Sequence, residues 1–159
     1  MADIFKKFLD WFDAKAINVI RKIALPTARI ALFVVFFWFG FLKILGNSPA
    51  EMLVASLLEA TMPFIPFSKF IFWFGFYEML IGISFLIPRL ERLAIALLIP
   101  HMITTFMPLV LLPEVSWYGF LVPTLIGQYI IKNMVIIALA MGIATTLSPF
   151  RLSRDGMLD

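Results

Sequence analysis

The sequence predicts an all-α membrane protein: an antiparallel four-helix transmembrane bundle with an N-terminal interfacial amphipathic helix and a short exterior surface helix. Three observations carry this. The chain is 62% hydrophobic and 14% charged over 159 residues, against roughly 45–50% apolar and ~25% charged in soluble domains. That much apolar surface exceeds one water-soluble core, so the solvent has to be lipid. The apolar residues also fall into four runs near the ~20 residues that a ~30 Å hydrocarbon core demands. Where no water can satisfy the backbone, such runs form helices. Finally, the basic residues gather on alternate separators, as the positive-inside rule requires of a protein that crosses the membrane repeatedly.

Residues 1–23 open the chain. Phe5, Phe8, Leu9, Phe12, Ala16, Val19, Ile20 and Ile23 recur at helical spacing, with Asp3, Lys6, Lys7, Asp10, Asp13 and Arg21 opposite. This is the pattern of an amphipathic helix lying in the headgroup region, with Trp11 near its edge; a partner-binding helix is the other reading. The alternation of charge with bulky residues, with no small-residue cleavage site, reads as mature chain rather than a cleavable signal peptide. Span one is expected over residues 24–45. After Gly46-Asn47, Ser48-Pro49-Ala50-Glu51 reads as a capping box with proline in the first turn, opening a surface helix to Ala60. Pro63 and Pro66 lead into span two, residues 70–87. The Pro88–Arg92 turn separates it from span three, residues 91–112. Pro113–Ser116 precede span four, residues 119–146, and a cytoplasmic tail, residues 147–159, follows. The four-span domain is therefore 24–146, with no internal repeat or second domain.

Charge gives the direction. Lys6, Lys7, Lys15, Arg21, Lys22 and Arg29 lie at or before the start of span one, Arg89 and Arg92 between spans two and three, and Arg151 and Arg154 after span four. The other two loops hold Lys69 beside Glu51, Glu59 and Glu114. Both termini are thus expected in the cytoplasm, the protein being integral to the cell's inner membrane.

Counting ~1.5 Å per residue from the span ends puts Glu78, His101, Lys132 and Asn133 near the midplane, with Gln128 one turn further out. Lys43 falls near the outer end of span one and Arg29 near the inner end. A lone charge at the bilayer centre costs about 2.5–3.5 kcal/mol or more, so these groups are expected to face the interior and to pair, Glu78 most simply with Lys132. Two readings stay open. One is a binding site or proton relay in which His101 titrates; the other is an ion pair that only fixes helix register. The candidate ligand-binding or proton-handling residues are Glu78, His101, Gln128, Lys132, Asn133 and Lys43. Gly75, Glu78 and Gly82 share one face of span two, and small residues there let helix backbones approach. Pro100 beside His101 is expected to kink span three. The dense aromatics of spans one and two, from Phe33 to Phe39 and Phe72 to Tyr77, suit lipid contact and packing, or a stacked quinone or flat lipid.

The absence of cysteine removes disulfides, thiol redox relays and cysteine-held iron–sulfur clusters. There is no phosphate loop, paired-histidine metal motif or Ser-His-Asp arrangement. No metal is expected, and the basic residues follow topology rather than a nucleic-acid footprint.

The stretches "ARIALFVVFFWFGFLKIL", "YEMLIGISFLIPRLERLAIALLIPHM" and "GQYIIKNMVIIALAMGIA" resemble the DoxX-like superfamily of small four-helix membrane proteins. The resemblance rests on Arg29, Gly40, Lys43, Glu78, Gly82, the Arg89/Arg92 turn and Lys132-Asn133, and covers residues 26–146. "WFGFLKIL", "ITTFMPLVLLPEVSW" and "IIKNMVIIALA" are similar to the branch of the reactive-chlorine-resistance inner-membrane protein, with Asn133 where that branch carries Asp. The resemblance implies a membrane subunit of redox or oxidative-stress metabolism, with a quinone as the candidate cofactor. The expected function is therefore a small inner-membrane subunit, more a component than an enzyme on its own. Its interior polar cluster would bind a quinone-like or lipid molecule. The alternative is a non-catalytic structural or assembly subunit of a larger complex; a transporter or channel would need several chains to form a pore. Expected partners are the lipid bilayer and other membrane subunits or further copies of the chain, not nucleic acid.

Overall fold

The protein is described by a computed structural model over residues 2–148, with side chains from Phe5 onward. The rest of the expected cytoplasmic tail, including Arg151 and Arg154, lies outside the described residues. The elements are α1 (Ala2–Ile44), α2 (Glu51–Thr61), α3 (Phe67–Leu86), α4 (Glu91–Phe106), α5 (Pro108–Leu111), α6 (Pro113–Ser116), β1 (Trp117–Gly119), β2 (Val122–Pro123), α7 (Leu125–Lys132) and α8 (Met134–Ala144). Four helical stretches are long and apolar enough to cross a membrane: Phe5–Ile44, Phe67–Leu86, Glu91–Leu111 and Leu125–Ala144. Their length and composition are those of an integral membrane protein.

Sequence and structure differ at three places, each for a local reason. Residues 1–23 and span one were expected as separate helices, yet α1 continues from Ala2 to Ile44 through Pro26. Proline removes one backbone donor and crowds one turn, and here the helix runs on past it. Span four begins at Leu125 rather than at 119, because Trp117–Gly119 and Val122–Pro123 pair as an antiparallel two-stranded ribbon. Leu121 turns it with a φ of 57°. Thr124 then caps α7, its Oγ1 accepting from Gly127 N–H at 3.1 Å, an ordinary N-terminal signal. The capping box before α2 does not form. Ser48 Oγ instead accepts from Ala50 N–H at 3.3 Å, so Ser48 closes a local turn and the helix starts at Glu51.

α1 stops by a Schellman arrangement: Gly46 adopts φ 68°, Asn47 N–H donates to Leu42 C=O at 3.0 Å and Gly46 N–H to Lys43 C=O at 3.3 Å. Only glycine takes this left-handed position at no steric cost. The motif leaves Lys43 in the last turn, where the helix dipole favours a cation.

α1 and α3 make the most extensive contact of the fold, and α3–α4, α4–α8 and α8–α1 contacts close a ring. Its interior holds Leu32 and Phe36 of α1, Ile81 and Phe85 of α3, Leu98 and Met102 of α4, and Ala140 and Ile143 of α8. The α1–α3 contact depends on two glycines facing each other. A Cβ on Gly40 would lie 2.5 Å from the Gly75 carbonyl oxygen, and one on Gly75 would lie 2.6 Å from the Gly40 carbonyl oxygen. Further along, Gly82 sits against the backbone of Phe33 and Phe37. Apolar side chains pointing away from the ring, Trp38, Phe39, Phe72, Trp73 and Phe76 among them, are exposed.

Candidate functional site

The close approach at Gly40 and Gly75 determines what comes next on each helix. Glu78 lies one turn along α3 from Gly75, and its Cβ fills the space that a side chain on Gly40 would need, 3.0 Å from the position of such a Cβ. Lys43 lies one turn along α1 from Gly40, its own Cβ against Gly75. Both side chains are therefore held between the two helices, and both are buried. Lys43 Nζ donates to Glu78 Oε2 at 2.6 Å.

The third member comes from α4. His101 is buried, with Nε2 2.9 Å from Glu78 Oε1. Glu78 thus bridges α1 and α4 with one oxygen for each, and no buried side-chain polar atom among the described residues lacks a partner. Aromatic rings enclose the imidazole: Phe74 is parallel to it at 5.4 Å, Phe36 meets it edge-on at 5.2 Å, and Tyr77 lies at 6.2 Å. Phe74 also faces the Lys43 ammonium at 5.5 Å, a cation–π arrangement. On the far side, Thr105 Oγ1 is 3.3 Å from His101 Nδ1 and 2.8 Å from the His101 carbonyl oxygen. Thr104 Oγ1 donates to that same carbonyl at 2.8 Å.

This arrangement serves two charge states. With a neutral ring, Nε2–H donates to Glu78 and Nδ1 accepts the Thr105 hydroxyl proton. With a protonated ring, both nitrogens donate, and Thr105 turns its proton to the His101 carbonyl. A hydroxyl supplies one donor and two acceptor lone pairs, so Thr105 fits either state.

The expected Glu78–Lys132 pair does not form. Lys132 and Gln128 are exposed, with Lys132 Nζ 5.0 Å from the Tyr129 ring centroid. Asn133 donates from Nδ2 to the Tyr129 and Ile130 carbonyls at 3.0 and 3.1 Å, satisfying backbone where α7 passes into α8. The reason is the rotational phase of α7, which buries Gly127 and Ile130 and leaves Lys132 on its exposed face. Of the six candidates, the structure brings together Glu78, His101 and Lys43, and leaves Gln128, Lys132 and Asn133 apart from them.

Two supporting contacts escaped the sequence reading. Arg29 of α1 pairs with Glu91 at the start of α4; the signal for it in the sequence is that Arg29 lies near the inner end of span one and residue 91 opens span three. Tyr77 donates its hydroxyl to the Leu97 carbonyl, joining α3 to α4 beside the triad. At the other end, Ser116 Oγ donates to Pro108 C=O at 2.8 Å and Trp117 Nε1–H to Leu109 C=O at 2.9 Å. These bonds fasten the ribbon over the end of span three. No group of three or more His, Cys, Asp or Glu side chains comes together among the described residues. Compared with protein families, curated proteins and solved structures, the chain matches none.

Proposed function

We propose that the chain is a small inner-membrane subunit whose Lys43–Glu78–His101 triad locks three helices of an antiparallel four-helix bundle in one register. It acts as a structural or assembly component that joins other membrane subunits or further copies of itself. Both termini face the cytoplasm, α2 lies on the outer surface, and the amphipathic half of α1 meets the headgroups on the cytoplasmic side. The observation that carries this reading is that both carboxylate oxygens of Glu78 are occupied by side chains from two other helices, 2.6 and 2.9 Å away. Such a group, its three members pairing with one another across three helices, suits register-setting, the best-attested use of buried ionic groups.

The test compares partial with complete removal. Glu78→Leu alone leaves a buried lysine uncompensated and should lower stability by about 3–5 kcal/mol, read by denaturant unfolding in detergent. The combined Lys43→Met, Glu78→Leu, His101→Leu protein should recover most of that loss and still assemble with its partners. A triple variant as unstable as the single one overturns the reading.

A second reading has one observation in its favour: the Thr105 hydroxyl suits either charge state of His101. In it the triad handles protons for a quinone-like or lipid molecule in redox or oxidative-stress metabolism, as a DoxX-like membership would imply. Glu78→Gln should then change the quinone content of protein purified from native membranes while leaving it folded.

A further inference from the structure

Span four carries two polar side chains that the triad does not use. Lys132 lies within the stretch Leu125–Ala144, about 10 Å from its Leu125 end, and Gln128 lies one turn nearer that end. α7 turns Gly127 and Ile130 inward, which leaves Gln128 and Lys132 together on its exposed face. Among the described residues the Lys132 ammonium makes no hydrogen bond or ion pair, and the Gln128 amide has no side-chain partner. Lys132 Nζ rests 5.0 Å from the centroid of the Tyr129 ring, which is itself exposed. A cation at membrane depth ordinarily turns to the bundle interior and pairs. Arg29, Lys43 and His101 do so in this chain; Lys132 does not.

The missing partner has a definite chemistry. An ammonium and an amide N–H one turn apart offer two donors to a single anion, and an ionised carboxylate has an oxygen for each. A lipid phosphate is a poorer match, because it stays at the headgroup level. Extended fully toward the Leu125 end, the lysine stem covers ~6 Å of the ~10 Å that separate the Lys132 backbone from that end. A second copy of the chain is poorer still. Within the ring of helices its carboxylates are Glu78 and Glu91, already engaged by Lys43, His101 and Arg29. Glu51, Glu59 and Glu114 lie between the spans, and Asp10 and Asp13 on the projecting start of α1. Two copies joined through this face would set one ammonium against another. Toward the Ala144 end, Val135, Ala138 and Gly142 continue the exposed face. A side chain at Gly142 would meet nothing within 4 Å, so a neighbouring helix can approach closely there.

Resting on the assembly role proposed above, we infer that the Gln128–Lys132 face of span four is the surface through which the chain joins its partner. The partner is a membrane helix of another protein with an Asp or Glu at the level of Lys132. Its carboxylate accepts from Lys132 Nζ and from the Gln128 amide, and its backbone lies along Ala138 and Gly142.

The experiment uses the full chain, labelled with a donor fluorophore at Asn47→Cys and reconstituted in phosphatidylcholine vesicles. The probe is a synthetic Leu/Ala helix of about 20 residues that carries an acceptor fluorophore and one Asp about 10 Å from its end. A control peptide has Leu in place of the Asp. Energy transfer should show the Asp peptide associating about tenfold more tightly than the control, a ratio equivalent to ~1.4 kcal/mol and in the range of polar contacts between membrane helices. Lys132→Gln should abolish the preference, and Lys132→Glu should transfer it to a peptide with Lys in place of the Asp. Thermal melts establish that each variant is folded, and the comparison of the two peptides on the unsubstituted chain stands even if a variant is not. Equal association of both peptides overturns the inference, as does a preference that survives in folded Lys132→Gln protein. Native mass spectrometry supplies two further overturning results: a dimer, or a retained phospholipid, that is lost in Lys132→Gln. The triad variants are read by unfolding of the chain alone and these by association of a folded chain, so the two readings fail separately.

Discussion

Glu78 is shared between Lys43 and His101, so the effect of any substitution depends on which partner stays behind. Lys43→Met leaves Glu78 with only His101 and should destabilise the protein by about 3–5 kcal/mol, measured as a shift in the denaturant midpoint in detergent. Lys132→Gln alters a residue of the same type that is exposed, and should stay within about 0.5 kcal/mol of wild type. The contrast separates the lysine inside the fold from the one outside it. The sequence makes Glu78 and His101 conspicuous, since each is costly in hydrocarbon unless partnered. It does not say which lysine answers Glu78. That depends on the rotational phase of each helix and on the reach of a four-carbon side chain, neither of which depth-counting includes. Lys43 starts one turn from Glu78 and reaches back to it.

α1 and α3 approach closely because Gly40 and Gly75 present backbone to backbone. The atoms that a new methyl would meet are carbonyl oxygens, which cannot swing aside as a side chain can. Gly75→Ala should therefore push the helices apart, cost about 1–3 kcal/mol and pull Lys43 off Glu78, a double effect visible in the unfolding midpoint. Thr124→Ala removes the cap of α7 and should cost about 1 kcal/mol by the same measurement, with the triad unaffected. The helices themselves are legible from apolar run length alone. Their ends are less so: the ribbon of residues 117–123 is as apolar as the helix after it, and composition cannot separate them. Its boundary is set by Pro123, the Thr124 cap and the bonds from Ser116 and Trp117 to the end of span three, contacts made only after folding.

Four membrane-crossing stretches follow from composition in outline, because lipid permits few backbone solutions. Their sidedness is a separate prediction, and a chain without cysteine allows a clean test. Single cysteines at Asn47 and Glu114 should react with a membrane-impermeant maleimide on intact cells, whereas one at Arg89 should react only after permeabilisation. The converse labelling would invert the proposed topology. The continuity of α1 adds something about mechanics. Its 43 residues make a rod of about 64 Å, twice the ~30 Å hydrocarbon thickness. One end is clamped to α3 through Gly40 and Lys43, while the first twenty residues extend past the ring. While the helix stays unbroken through Pro26, it is a lever. A tilt of about 10° at the clamped end swings Phe5 by roughly 9 Å over the ~52 Å arm. Small changes in how the bundle sits in its bilayer would be magnified at the N-terminus into displacements the size of a side chain.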